Sequence, residues 1–575
     1  MTRNDLAGCS ILLISLILCM SSDAAAREIV HDSEYYVLAA QNGERWAVED
    51  KEVEARLAEL REKYGTPPNI VYILWDDQPY LSAGFPAIQK NLGYETPRIN
   101  KLADEGINFL RMYTEPACTP TRAAFLTGRH PVRNGMGMVG MPHECSGLAG
   151  DEVTIAEVLS KAGYATGFFG KGHLGDIEES YLHNQGFDEA LFTGMNQIVS
   201  IWNAQGDAVN ASIGIAPEIR PEDPYQLDRP GLLPTGWVMA VEGRKGEPGK
   251  EWGLPNGEWY DKMDPECKKR TLDFIRRNAK AKRPFFVCFW PNWLNLLKPD
   301  FKKMTQSGGK VAEGWYRLDQ YIGQLTDELK ELGIAENTLF VFMADNGPMV
   351  HNPPAGTGMT DLLYRGGKGD FTEGGVRVPA FAWWPDTIRP GQKLGDIIHV
   401  TDLYTTFARI GGAKKYIPTD RVIDGIDQTA LLLGGDTHGR RDYVFIYTGD
   451  KLGATVKGRF KRHWISPDPG AATGLGAAFY DLYQDPREQY PVLVPLIHTQ
   501  GQFNRIRARH ELMKKKYPDR KAPHAIPWTG LSNARPETEA IGDEIRRNAK
   551  GLPFNVDDYL EHEIPGSNID PDFGK

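Results

Sequence analysis

Cysteine is scarce. The chain of 575 residues has six, and two of them, Cys9 and Cys19, fall in the first twenty residues. The other four, Cys118, Cys145, Cys267 and Cys288, are too few to staple a chain of this length, so a disulfide scaffold is excluded. A pairing between two of them in an oxidising compartment stays open. A basic excess is also missing: 66 Lys and Arg face 76 Asp and Glu, a formal charge of −10. That balance argues against a nucleic-acid partner, which needs a basic face. It is compatible with an anionic substrate, because one pocket can be positive on an acidic protein. No apolar run is long enough for a stable membrane span, and there is no internal repeat or low-complexity tract.

The first residues read as an export signal over 1–26. Arg3 supplies the positive start, residues 11–20 a short apolar run, and Ala24, Ala25 and Ala26 the small residues of a cleavage site. Periplasmic or secreted localisation is the corresponding expectation. A lipoprotein reading of Cys19 stays open, although Leu18 ahead of it is larger than the residue usual there.

Residues 42–64 read as an amphipathic helix with Trp46, Val53, Leu57 and Leu60 on one side, ended by Gly65, Pro67 and Pro68. Asn69–Trp75 follows as a buried strand with Asp76 and Asp77 at its C-terminal end. Thr338–Ala344 repeats the pattern and runs into Asp345 and Asn346. Ligands of open α/β sheets bind beyond the carboxyl ends of strands, so the two acidic ends are candidates for one shared site. Between them, 153–162, 267–280 and 313–332 have helical spacing, and 165–169 and 285–289 read as strands. This alternation predicts an α/β fold: a large, mixed, mostly parallel sheet sandwiched by helices. The stretch 197–261, rich in Gly, Pro and Trp, reads as a long insertion that walls a pocket. Segments 443–447 and 460–465 suggest a short antiparallel sheet, followed by a polar helical tail. The expected organisation is a helical extension over 27–66, a catalytic domain over 67–438 and a smaller C-terminal α+β subdomain over 439–575.

The stretch Cys118-Thr-Pro-Thr-Arg122, continuing to Leu126 and Thr127-Gly128-Arg129, carries the chemistry. It resembles the signature of the type I, formylglycine-dependent sulfatases, an arylsulfatase-like family with an alkaline-phosphatase-like fold. The likeness extends from about Asn69 to about Glu488 and includes Gly170-Lys171-Gly-His173-Leu-Gly and the glycine-rich segment from Arg365 through Lys368 and Glu373 to Pro379. The resemblance implies hydrolysis of sulfate esters. It implies that a formylglycine-generating maturase oxidises Cys118 to an aldehyde, which hydrates to a geminal diol. One diol oxygen attacks sulfur, and the second hydroxyl loses its proton as sulfate leaves and the aldehyde re-forms. It assigns Asp76, Asp77, Asp345 and Asn346, with Cys118, to the metal. All-oxygen side chains favour a hard cation, Ca²⁺ ahead of Mg²⁺. Arg122 would neutralise the developing alkoxide, Lys171 and Lys368 would hold the sulfate, and His173 would take the proton from the second hydroxyl. The partner is then a sulfated small molecule or glycan.

One element departs from the family pattern. The strand 285–289 is normally followed by a histidine that protonates the leaving group, and here Asn292 and Asn295 stand in that region. An amide is no acid at neutral pH, so either the substrate is an activated aryl sulfate or another group serves. Lys368 and His351 are the candidates, with His351 placed to meet the substrate. A phosphonate or phosphodiester hydrolase of the same superfamily and a non-catalytic binder of sulfated glycans are the alternative readings.

Overall fold

A computed structural model describes residues 28–141, 144–195, 201–203, 232–234, 238–254, 257–291, 310–350, 361–434, 438–465 and 478–549. The leader, most of the 197–261 insertion, Asn292, Asn295 and His351 lie outside the described residues.

The main sheet has ten strands. In chain order they are β1 (Asn69–Trp75), β2 (Ile107–Phe109), β3 (Ala165–Lys171), β4 (Glu189–Thr193), β5 (Ala240–Arg244), β6 (Lys250–Trp252), β7 (Phe285–Trp290), β8 (Thr338–Ala344), β9 (Ala380–Trp383) and β10 (Gln392–Leu394). They lie in the order β10-β2-β9-β8-β1-β7-β3-β4-β5-β6. The central five, β8-β1-β7-β3-β4, are all parallel. Antiparallel pairings appear only toward the flanks. The helices that matter for the site and its frame are α1 (Ser33–Tyr64), α2 (Cys118–Thr127), α3 (Gly257–Ala281), α4 (Lys310–Glu331), α5 (Val400–Ile410) and α6 (Leu493–Lys516).

The central strands read as unbroken apolar runs because both of their faces are covered. On one face Tyr72 stacks on Phe125 of α2 at 4.1 Å, and Phe286 meets Phe407 of α5 at 6.3 Å. On the other, Trp75 stacks on Trp315 of α4 at 4.6 Å, while Phe285 meets Phe274 of α3 and Phe289 meets Tyr321 of α4. Neighbouring residues of one strand thus serve opposite layers, as the two-residue period of a strand requires. Each such ring contributes about 1.5–3 kcal/mol by burial.

The predicted helix over 42–64 begins earlier, at Ser33. Asp32, the residue at its N-cap, makes no side-chain cap; its carboxylate goes to Arg133 at 2.8 Å and His510 at 2.8 Å. An acidic N-cap residue is thus present, but its cap hydrogen bond is absent. Leu38 and Trp46 of this helix pack with Phe445 and Tyr447, whereas Val53, Leu57 and Leu60 join the main core. All four cysteines outside the leader are buried free thiols.

The predicted second sheet is present, as β11 (Tyr443–Thr448), β12 (Lys451–Lys457), β13 (Phe460–His463) and β14 (Phe479–Asp481), antiparallel throughout. It is joined to the glycine-rich segment by a buried charge cluster. Lys461 of β13 lies 3.1 Å from Glu373 and 3.0 Å from Glu488, all three side chains fully enclosed. Glu488 also accepts from the Glu373 backbone N–H and meets His463 at 2.7 Å. Although burial raises the Glu488 carboxyl, Lys461 and His463 hold it down at about 2 against an ordinary 4.5. A depressed folded value means stabilisation that is complete above the ordinary value and lost as pH falls through the folded one. Lys461→Met should therefore cost about 3–5 kcal/mol at pH 7, the penalty of unpaired buried carboxylates. In urea unfolding the gap between wild type and variant should close between pH 4.5 and 2; a gap independent of pH would mean that only packing was lost.

Candidate active site

Parallel register sets the site. β1 and β8 pair with Trp75 opposite Ala344, so Asp76 and Asp345 leave the sheet at the same level. The Asp345 N–H donates to the Trp75 carbonyl at 2.7 Å, and the Asp77 N–H to Asp345 Oδ1 at 3.0 Å. Two strands away, β3 delivers Lys171 as its last residue, and His173 follows. Asp77 and His173 both have left-handed backbones, φ 51° and 56°. Such conformations are costly and persist where surrounding contacts fix them.

Cys118 is the first residue of α2 and has no exposed surface. Ala117 at the N-cap offers no side chain to the free N–H groups there. This end of α2 favours negative charge. Arg122, one turn on, is fully buried. Its Nη2 donates to Asp76 at 2.9 Å and to Asp345 at 2.7 Å, and its Nη1 to the Lys171 carbonyl at 2.8 Å. Its guanidinium carbon lies 5.1 Å from the Trp290 ring centroid. The sequence suggested that Arg122 faces the nucleophile's charge; the structure commits it to the carboxylates and so to their orientation.

Lys171 Nζ donates to Asp76 Oδ1 at 2.7 Å. Lys368 Nζ lies 3.0 Å from Asp77 Oδ1 and 3.1 Å from Oδ2. The glycine-rich segment reaches this position by close backbone approach. Gly347 donates to the Gly375 carbonyl at 2.9 Å, and a Cβ on Gly347 would sit 1.7 Å from the Gly374 oxygen. Nearby, Lys368 N–H donates to the Pro348 carbonyl at 2.8 Å. All the predicted site residues within the described part of the chain therefore converge: Asp76, Asp77, Cys118, Arg122, Lys171, His173, Asp345, Asn346 and Lys368.

Burial governs the electrostatics. It pushes the Cys118 thiol up even beside Lys171 and Lys368. The unmodified side chain is therefore a neutral thiol and a poor nucleophile. Burial and repulsion from Asp76 raise Asp345 to about 7 despite Arg122, and burial raises Asp77 as well. Asp76 stays well below the usual range because Lys171 and Arg122 outweigh its burial. Lys368 is held well above its ordinary value by Asp77 in spite of burial. His173 is driven well down by burial and by Lys171. His173 Nε2 faces the Gly140 carbonyl at 2.9 Å, which fixes the proton on Nε2. Nδ1 is buried without a partner, a free base position.

The donor set fits a hard divalent cation. Asp76 Oδ2 and Asn346 Oδ1 are buried acceptors with no hydrogen-bond donor. Ligand atoms of Asp76, Asp77 and Cys118 lie within 4.8 Å of one another. Sequence reasoning missed Gly140, which orients His173 and whose N–H is held by Thr119 Oγ1 at 3.0 Å. A backbone carbonyl leaves no residue-type signal. It also gave Glu373 no task, because its partners Lys461 and Glu488 are distant in the chain.

The Sulfatase family model matches residues 68–413. Human arylsulfatase A is 34% identical over 453 residues, covering 74% of this chain and 83% of the relative. Human N-acetylgalactosamine-6-sulfatase is 32% identical over 525 residues, covering 83% and 91%. Among solved structures, the PsFucS1 sulfatase from Pseudoalteromonas sp. superposes with a TM-score of 0.70 at 27% identity, over 82% of this chain and 96% of that one. The family implies a divalent metal and a formylglycine. With its strand-end carboxylates, buried lysines and Cys118 helix, the chain belongs to the sulfatase family as a type I member and is a sulfuric ester hydrolase.

Proposed function

We propose that Cys118, converted to formylglycine, is the nucleophile of this sulfatase and that Asp76, Asp77, Asp345 and Asn346 hold Ca²⁺ beside it. The observation that carries the reading is the placement of Cys118 at the open end of α2, within 4.8 Å of the Asp76 and Asp77 ligand atoms. Formylglycine would supply a hydroxyl of its hydrated aldehyde as nucleophile, and Ca²⁺ would supply Lewis acidity toward the sulfate oxygens. Three carboxylates and an amide favour Ca²⁺ over Mg²⁺, which keeps more of its own water.

The chain's own residues supply the rest. Arg122 orients Asp76 and Asp345. Lys171 and Lys368 place two ammonium charges against the sulfate oxygens, where negative charge is held in the transition state. His173 is neutral and anchored through Nε2–H, so Nδ1 accepts the proton whose removal releases sulfate. A maturase would meet Cys118 most readily in the unfolded chain, since the folded chain covers its side chain. Export to the periplasm or beyond agrees with the apolar leader. Among the described residues no helix is long and apolar enough to cross a membrane. The substrate is a sulfated small molecule or glycan.

Peptide mass spectrometry of protein from its native host should show residue 118 with its sulfur lost and an oxygen gained; an intact thiol there would sink the mechanism. Cys118→Ala should lower kcat on an aryl sulfate by at least about 10³-fold, the scale of losing a nucleophile. Calcium added to chelated protein at a hundred times Kd should stabilise it by about 2.7 kcal/mol. Calorimetry should show the rise in Tm for wild type and a much smaller one for Asn346→Ala. An equal rise in both would place the ion elsewhere.

A further inference from the structure

The residue after the nucleophile has a task of its own. Thr119 follows Cys118 in the first turn of α2 and is buried. Its Oγ1 accepts the Gly140 N–H at 3.0 Å, and the Gly140 carbonyl in turn meets His173 Nε2 at 2.9 Å. We propose that Thr119 is a positioning residue for the reaction: through Gly140 it keeps the proton of His173 on Nε2, which leaves Nδ1 open as the base that releases sulfate. The inference rests on the roles proposed above for Cys118 and His173.

The Thr119 hydroxyl is not spent on its own helix. Ala117 holds the N-cap, and the oxygen of Thr119 goes instead to a loop twenty-one residues on. That loop, 135–141, has glycines at 135, 137 and 140, and only Met136 in it is buried. A glycine-rich stretch with so little cover has many backbone conformations to lose. Thr119 ties it to a rigid helix. Met195 closes the other side: a Cβ on Gly140 would stand 3.2 Å from Met195 Sδ and 3.7 Å from Thr119 Oγ1. The carbonyl of Gly140 is thus presented from a fixed place.

The backbone of His173 is held without this loop, by its left-handed conformation and by its N–H, which donates to the Thr193 carbonyl at 3.2 Å. What depends on Gly140 is the tautomer. A neutral imidazole carries one proton, and an acceptor at one nitrogen selects it there. A proton on Nδ1 would set the Nε2 lone pair against the Gly140 oxygen and would also occupy the base. Nδ1 itself is buried with no partner, so among the described residues nothing else makes the choice.

Only half of the reaction needs it. In the release step the second hydroxyl gives its proton to Nδ1. The electron pair of that O–H bond becomes the new C=O bond, and the C–O bond to sulfate breaks with its pair leaving on sulfate. The attack on sulfur that precedes this makes no demand on Nδ1.

The test compares full-length wild type, Thr119→Ser and Thr119→Val, with conversion of residue 118 measured by peptide mass spectrometry and rates taken per formylglycine. Long-range proton–nitrogen NMR of histidine-labelled protein, with the His173 signals identified by their loss in His173→Gln, should show Nε2–H in wild type and Thr119→Ser and a mixture in Thr119→Val. With a nitrophenyl sulfate the good leaving group makes the first step fast. Thr119→Val should then lower kcat about tenfold, a part of the roughly 10²–10⁴-fold that a positioned base is worth. KM should fall in step, so that kcat/KM holds, and a burst of nitrophenol should precede turnover. Thr119→Ser should keep the wild-type values. An Nδ1–H tautomer in wild type overturns the proposal, as does an unchanged tautomer in Thr119→Val or a kcat/KM that falls as far as kcat. If Thr119→Val does not fold, Thr119→Ala takes its place, and where neither folds the wild-type tautomer decides. An intact thiol at residue 118 would sink the proposed nucleophile instead, and the tautomer would still be read.

Discussion

The Arg122 guanidinium is the point on which the site depends. It is fully buried and bonded at once to Asp76 after β1, Asp345 after β8 and the Lys171 carbonyl of β3. One side chain of α2 thereby fixes three strand ends relative to the residue that begins the same helix, Cys118. A buried ion pair of this kind is weak evidence for stability, since desolvation consumes much of the Coulombic gain. Its value lies in orientation. Removing the guanidinium would leave two carboxylates buried and repelling, and Asp345 already titrates near 7 with it present. The carboxylates proposed to hold the cation are thus aimed before any ion or substrate arrives, as electrostatic preorganisation requires.

That arrangement needs residues from distant parts of the chain to meet within a few ångströms, and parallel topology supplies the means. Helical crossovers return the chain to the same edge of the sheet, so every central strand ends on one side. Register then sets the depth: Trp75 lies opposite Ala344, and the pairings of β7 with β1 and β3 carry the same level across to Lys171. Gly170 is part of this fit. Its φ of 131° and the approach of the Trp290 oxygen to 1.8 Å from where a Cβ would stand permit no other residue there without displacing β7.

This explains what was legible in the sequence. β1 and β8 were read with their observed bounds because strands buried on both faces are continuous apolar runs, and the acidic residues after them stand out. The Cys118 and Lys368 segments were legible because each is a contiguous motif that resembles the family's own, the second marked by its glycines. The start of α1 was not read: Asp32 is an N-cap residue type, but the helix was placed from Asn42, and what Asp32 binds, Arg133 and His510, is tertiary. The tautomer of His173 was not, since a carbonyl of Gly140 sets it. The cluster of Lys461, Glu373 and Glu488 joins two sheets through tertiary contacts alone, and no spacing in the chain encodes it.

The departing side of the scissile bond follows from the same electrostatics. Among the described residues at the end of β7, Trp290 lies over Arg122 and Pro291 succeeds it, so neither offers a proton there. Lys368 is close, but an acid works best when its pKa lies near the working pH. Asp77 holds Lys368 far above that range. Its ammonium therefore steadies an oxyanion by charge and hydrogen bonding, with little tendency to surrender the proton. On the proposed reading, a phenol-like leaving group, with a pKa of about 10, departs under such assistance far more readily than an alkoxide. On that reading the buried Lys368–Asp77 pair bears on substrate choice as well as on cation binding.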